Sequence, residues 1–274
     1  MFTRIDATRA APPTTGLVAS ATRPPDDGTR WESGLAWVSE RCGAAHQLLP
    51  WCSDTDPAAF TPDRAPAAYH RPVGVRFADE CSTMGAVLDT ERLRRLADAT
   101  TPFVVARELW TGTLGETAPF IVGGVSLTNK RLADADATVV GSGGAELLAG
   151  LGRLEQAAVE ATRGQRVMLH LPVRMSAKLG DFARRVGADL LTRGDNLVVV
   201  DAGYPGTGPA GQVVGLTAWA YATAPVAVRV SALSMAVEPD QTTDRAKNTA
   251  TAWASRVFAA TFDPCAHLAT EITL

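Results

Sequence analysis

With 274 residues, 46% of them hydrophobic and 20% charged, the chain is long enough for one large or two modest globular domains with a real core. A formal net charge of −3 argues against a protein that grips nucleic acid over a broad face. The longest uncharged stretch, 202–228, is broken throughout by Gly, Pro and Thr, which argues against a membrane span.

Residues 1–30 carry Pro12, Pro13, Pro24 and Pro25 among Thr and Arg, with few large apolar side chains. Such a segment buries too little to offset its ordering entropy, so it is expected to be disordered or to lie as an arm on something else. Extended, 30 residues reach about 100 Å. It lacks the apolar stretch of a secretory signal, and a cytoplasmic origin is the default expectation. Gly34 to Glu40 reads as a strand, a Pro- and Asp-rich loop follows to Tyr69 with Trp51 and Phe60 as isolated anchors, and His70 to Asp79 alternates as a second strand. Together they predict a long projecting hairpin, whose loop length points to an intermolecular or functional role.

Thr90 and Glu91 open a helical stripe through Leu93, Leu96, Ala97, Val104, Val105, Leu109 and Trp110, closed by Gly112. Pro102 predicts a kink, or a division into two helices between Thr100 and Pro102. Residues 113–144 read as loop or weak strand. Ala145 to Arg163 is the clearest helix, with Leu147, Leu148, Leu151, Leu154 and Ala158 on one face and Gly164 as its stop. Arg166 to Leu171 reads as a buried strand. Met175, Leu179, Phe182, Ala183 and Val186 predict a further amphipathic helix stopped by Gly187, and Leu190 to Val200 a hairpin turning at Arg193 to Asn196. The Gly/Pro loop Ala202-Gly-Tyr-Pro-Gly-Thr-Gly-Pro209 leads to strand-like residues from Thr217 to Val230, and more strand closes the chain. Helices mixed with mostly antiparallel strands give an α+β fold class, without βαβ alternation or a repeat of 20–50 residues.

Chemistry is sparse in this pattern. Cys42, Cys52, Cys81 and Cys265 form no CxxC and match no zinc module; reduced, structural thiols are expected, and sequence leaves open whether Cys42 and Cys52 are bridged. Val139-Val-Gly-Ser-Gly-Gly-Ala-Glu146 has Glu146 where a phosphate loop needs glycine, so it reads as a structural start to a helix. His46, His70, His170 and His267 show no metal-ligand spacing, and His170 falls in a buried strand, as a hydrogen-bonded core histidine would. No GxSxG marks a nucleophile; a hydrolase would have to gather His170 or His267 with distant Ser or Asp residues. Asp134 and Asp136 offer too few oxygens for Ca²⁺ or Mg²⁺ and read as a solvated acidic turn. Arg92, Arg94 and Arg95 read as a solvated helix face or an interface cluster. Only three lysines, Lys130, Lys178 and Lys247, accompany many arginines, as codon bias or interface pairing would produce. The sequence therefore assigns no catalytic, cofactor-binding or metal residue, and it reads as that of a protein without enzyme activity.

One ordered set of features carries a resemblance. A Pro-rich arm and a long two-stranded projection precede a helix ending in Ala106-Arg-Glu-Leu-Trp-Thr-Gly112. The helix at 145–163 follows, then Met168-Leu-His-Leu-Pro-Val-Arg-Met-Ser-Ala-Lys-Leu179, the loop 202–209, Ala218-Trp-Ala-Tyr-Ala-Thr-Ala-Pro-Val226, and strands through Cys265-Ala-His-Leu268. In this order, from about Trp31 on, the chain resembles the major capsid proteins of actinobacterial tailed phages, whose Hong Kong 97-like fold also builds encapsulin shells. The resemblance implies an N-terminal arm at 1–33, an E-loop at 34–80, a P-domain with its spine helix at 81–139, an A-domain at 140–222 with a tip loop near 204–215, and P-domain return strands at 223–274. It also implies self-assembly as hexamers and pentamers into an icosahedral virion shell around double-stranded DNA contacted non-specifically. Portal, scaffold and decoration proteins are the implied partners, and neither a membrane nor a cofactor is implied. Few lysines speak against lysine-to-asparagine cross-linking. An encapsulin-type compartment, a minor head protein and a hydrolase are the alternatives.

Overall fold

A computed structural model describes residues 11, 13–24, 31–37, 68–82, 90–112, 120–122, 125–141, 143–212, 215–236, 243–244 and 249–274. In chain order they form α1 (Leu17–Ser20), β1 (Leu35–Trp37), β2 (Ala68–His70), β3 (Val73–Ser82), α2 (Thr90–Thr111), β4 (Phe120–Val122), β5 (Val125–Leu127) and β6 (Thr138–Val139). There follow α3 (Leu147–Ala161), β7 (Met168–Pro172), α4 (Val173–Ser176), β8 (Ala183–Val186), β9 (Asp189–Thr192) and β10 (Leu197–Asp201). The chain ends with β11 (Thr217–Thr223), β12 (Ala227–Val230), β13 (Ser234–Ala236), β14 (Thr243–Asp244), β15 (Thr249–Thr261) and β16 (His267–Thr273).

Two sheets dominate. The larger has seven strands in the order β6-β16-β11-β7-β10-β9-β8, antiparallel except where β7 meets β10 and β6 meets β16. Its central strands are built for burial: β7 reads Met-Leu-His-Leu-Pro, and all five residues are inside. Leu147, Leu151, Leu154 and Ala158 of α3 pack with Leu169, Leu171, Ala218, Ala220 and Ile272 into one core. The smaller sheet is organised by the 13-residue β15, which pairs with β3 along ten rows and with β12, β13 and β14. Helix α2 covers it through Leu93 and Ala97, which meet Phe77, Ala252 and Ala254.

The structure alters several expectations. Helix α2 is continuous through Pro102. Leu93, Ala97, Thr101, Val105 and Leu109 recur every fourth residue and are all buried, so packing holds the turns before and after the proline in one phase. Leu96 is on the outside at 42% exposure. The expected stop holds: Gly112 takes φ +60 and its N–H donates to the Glu108 carbonyl at 2.8 Å. The strand after His70 does not pair with the strand at 35–37. Arg71 and Pro72 interrupt it, β1 pairs with the short β2, and β3 leaves to pair with β15. The loop between β1 and β2 lies outside the described residues.

The amphipathic helix expected from Met175 to Val186 is absent. α4 stops at Ser176, Gly180 takes φ +48, and residues 183–186 turn into a strand that pairs with β9 across the two-residue turn Gly187-Ala188. The predicted turn at 193–196 is as expected. Asp195 takes φ +60, and the Thr192 hydroxyl accepts from the N–H groups of Gly194 and Asn196. Cys265 is disulfide-bonded, against the expectation of reduced thiols.

Of the two outcomes expected for the N-terminal segment, the described residues take the docked one, lying on their own chain. Leu17 is fully buried, and its N–H donates to the Asp201 carboxylate at 2.9 Å. Thr22 pairs with Ala227 in the manner of a further strand, donating to the Val226 carbonyl and accepting from Val228 N–H. A segment unable to fold alone is ordered by the edge of β12, the Asp201 carboxylate and one apolar socket.

Candidate functional site

The chemistry-bearing side chains of this chain converge where α2, the seven-stranded sheet and the end of β15 meet. Trp110 fills the centre, 4.9 Å from the Tyr204 ring and 4.8 Å edge-on from Tyr221. The Trp110 indole N–H donates to the Thr207 carbonyl at 3.2 Å, and the Tyr221 hydroxyl to the same carbonyl at 3.1 Å. The loop folds inward from Tyr204 to Pro209, and both of these residues are buried. A glycine makes this closure possible. A Cβ on Gly203 would stand 2.6 Å from the Phe103 carbonyl oxygen and 2.8 Å from Arg107 N, so the loop backbone lies directly on α2. Asp201, just before the loop, accepts from both Gly203 N–H at 2.8 Å and Leu17 N–H. Burial raises its pKa despite these donors.

Two histidines belong to this junction. His170 is fully buried; Nδ1 meets the Tyr204 hydroxyl and Nε2 the Thr223 hydroxyl, both at 2.9 Å. Burial, with repulsion from His267, lowers its pKa to about 3, so it is neutral at ordinary pH. With both nitrogens engaged by hydroxyls, the ring has no nitrogen left for a substrate. His267 bonds through Nε2 to the Leu132 carbonyl at 2.9 Å and lies 3.7 Å from Asp136 through Nδ1. Burial lowers its pKa as well. His70 is buried beside Phe258 and Ala260, its pKa lowered to about 4 by burial; His46 lies outside the described residues.

The other candidates take structural roles. Glu146 caps α3, its carboxylate accepting from Ala149 N–H at 3.2 Å, which explains an acidic residue where a phosphate loop would have glycine. Asp134 accepts from Arg131 N–H and Asp136 pairs with Lys130. Burial opposes the charge on Asp136, but the Lys130 bond and charge hold its pKa below the usual value. Among the described residues no three His, Cys, Asp or Glu side chains cluster as metal ligands, and no helix is long and apolar enough to cross a membrane.

What the junction does is join parts of the chain distant in sequence. Residues 17, 110, 168, 204, 221 and 262 share one core. The exterior instead offers contact surface. Leu216 is 85% exposed, with Val139 and Leu148 about half-exposed near the same end of the larger sheet, where Gly144 abuts Thr217 and Thr273. A cavity of about 520 Å³ opens between the arm, α2 and the smaller sheet.

No family model matches the sequence, and no curated protein does. Solved structures do match over the full chain. The capsid of a native GTA particle aligns at a TM-score of 0.59 and 12% identity, covering 100% of this chain and 95% of that one. The capsid of Ralstonia phage GP4 aligns at 0.56 and 10%, with the same coverage. A chain from Mycobacterium phage Ogopogo aligns at 0.51 and 15%, covering 99% of this chain and 94% of that one. The chain thus has the α+β, Hong Kong 97-like capsid fold.

Proposed function

We propose that this chain is the major capsid protein of a tailed phage, a structural component of the virion that assembles with copies of itself. The observation that carries the reading is the full-length match to capsid subunits, from the docked arm to the last strand. Supporting it, the buried polar groups at the sheet junction are tied to one another, while apolar side chains such as Leu216 stand outside. In this reading stability belongs to the assembly, because each interface is repeated by symmetry.

The finer map is part of the proposal. Residues 1–33 act as N-terminal arm, 34–80 as E-loop, 81–139 and 223–274 as P-domain, and 140–222 as A-domain. The larger sheet draws β6 and β16 from either side of the last span, which ties the two domains into one body. Subunits form hexamers and pentamers, and the icosahedral head assembles in the host cytoplasm around double-stranded DNA, with portal, scaffold and decoration proteins as further partners. A mildly acidic subunit suits packaged DNA, since strong attraction would hinder packing. Negative-stain imaging and sedimentation of the expressed chain, alone and with its neighbouring phage genes, test the reading. Rings or closed particles are expected; a strictly monomeric protein under both conditions refutes it.

A further inference from the structure

Asp201 closes β10 and is 8% exposed. Each of its carboxylate oxygens is met by one backbone N–H. Gly203 donates to Oδ1 at 2.8 Å and Leu17 to Oδ2 at 2.9 Å. Among the described residues no cation pairs with it. The two donors belong to different segments, the inward loop 202–209 and the N-terminal arm, so one buried charge fastens both. Each segment carries a glycine where it approaches. Gly16 takes φ +105, and a Cβ there would stand 2.5 Å from Asp201 Oδ2. Gly203 is pressed on α2, and Tyr204 after it enters the core that Leu17 also enters. The arm has a second fastening at Thr22, which pairs with β12.

We propose that Asp201 couples the two segments: the loop keeps its inward fold only while the arm is docked, and the arm docks firmly only on the folded loop. The cause is the hydration of a buried carboxylate. An oxygen that loses its donor must gain another or meet water, because an unmet buried charge is costly. When the arm leaves, Oδ2 loses the Leu17 N–H, and the socket of the Leu17 side chain opens beside it. Water that enters there to reach the charge also competes for Oδ1 and wets the core side of Tyr204. When the loop lifts, Oδ1 loses the Gly203 N–H, and the same demand for water acts under the arm. The coupling is reciprocal, as any linkage between two equilibria is. It makes the arm a regulator of the loop, since a contact that draws the arm away loosens residues 202–209. The subunit alone carries this device, which stands or falls apart from the capsid reading.

Hydrogen exchange of the full-length, unassembled subunit reads both sides. Leu17→Asp undocks the arm and is expected to speed exchange about tenfold at the Gly203 and Tyr204 amides. Residues 252–256 of β15, which pair with β3, are expected to stay unchanged. Thr22→Pro deletes the N–H that donates to the Val226 carbonyl and is expected to act in the same direction without placing a charge in the core. In reverse, Gly203→Ala drives a Cβ against the α2 backbone. It is expected to speed exchange about tenfold at Leu17 and at Val228, whose N–H donates to the Thr22 carbonyl. With Asp201→Ala in place, Leu17→Asp is expected to change exchange at Tyr204 less than about twofold. Unchanged exchange at Gly203 and Tyr204 in both arm variants overturns the proposal. So does an undiminished effect of Leu17→Asp on top of Asp201→Ala, which would put the coupling in apolar packing. Acceleration of β15 as large as that of the loop in both arm variants also overturns it, because the arm would then be part of the whole fold and not a separable regulator.

Discussion

The two halves of β15 are one strand in two environments. From Thr251 to Ser255 buried and exposed residues alternate: Ala252 and Ala254 face α2, while Trp253 is 38% exposed and stacks under the Arg76 guanidinium at 5.6 Å. From Phe258 to Thr261 every residue is buried, and Phe258 and Ala260, with Phe262 just past the strand's end, join the core around Trp110. The first half is covered on one face by its own chain, the second on both. Burial on both faces multiplies contacts at each residue, so the second half should hold the subunit together and the first should contribute little.

The sharpest way to break that comparison is Phe258→Ala. It removes a fully buried ring from the doubly covered half and is expected to cost about 3–5 kcal/mol in urea unfolding of the unassembled subunit. A loss below about 1 kcal/mol would mean the two halves do not differ as argued.

Acid should separate the halves next. His70 and His170 have folded pKa values of about 4 and about 3, below their ordinary 6.5, so the folded state binds fewer protons than the unfolded one. Their contribution is intact above about pH 6.5 and is lost as pH falls toward these values, at up to ~1.4 kcal/mol per pH unit for each histidine. Asp201 acts in the opposite sense: its raised pKa is a penalty at neutral pH that acid relieves. His70 lines one pocket with Phe258 and Ala260 of the second half, and His170 contacts Tyr204, which packs on Trp110 in the core that this half joins. Hydrogen exchange between pH 7 and pH 5 should show protection falling first at 258–262 and 168–171, before 251–255. The reverse order contradicts the assignment.

How much of this was legible in the sequence depended on whether a partner was local. α3 and the turn at 193–196 were readable because their determinants, a 3.6-residue stripe and a hydroxyl two residues from the N–H it accepts, lie within a few residues. Of the two outcomes expected at Pro102, division into two helices does not occur, because the stripe that carries α2 through is held by a sheet formed more than 140 residues later. Residues 175–186 have helical spacing, yet their outcome was set by a two-residue turn and by β9. At the candidate site, His170 was foreseen as a buried, hydrogen-bonded histidine, but not its partners, which lie 34 and 53 residues away. An arm was legible but its docking site was not, since Leu17 meets a carboxylate 184 residues on.

The smallest expected effect completes the comparison. Trp253→Ala deletes a larger side chain than Phe258→Ala, so a simple size argument predicts the greater loss. Its environment predicts the opposite. Its face of the sheet meets solvent, and the contact with Arg76 is worth about 0.5–1 kcal/mol at an exposed site. Unfolding of the unassembled subunit should therefore register a loss near 1 kcal/mol, several-fold below that of Phe258→Ala. A loss as large as that for Phe258 would show that β15 is covered on both faces along its whole length.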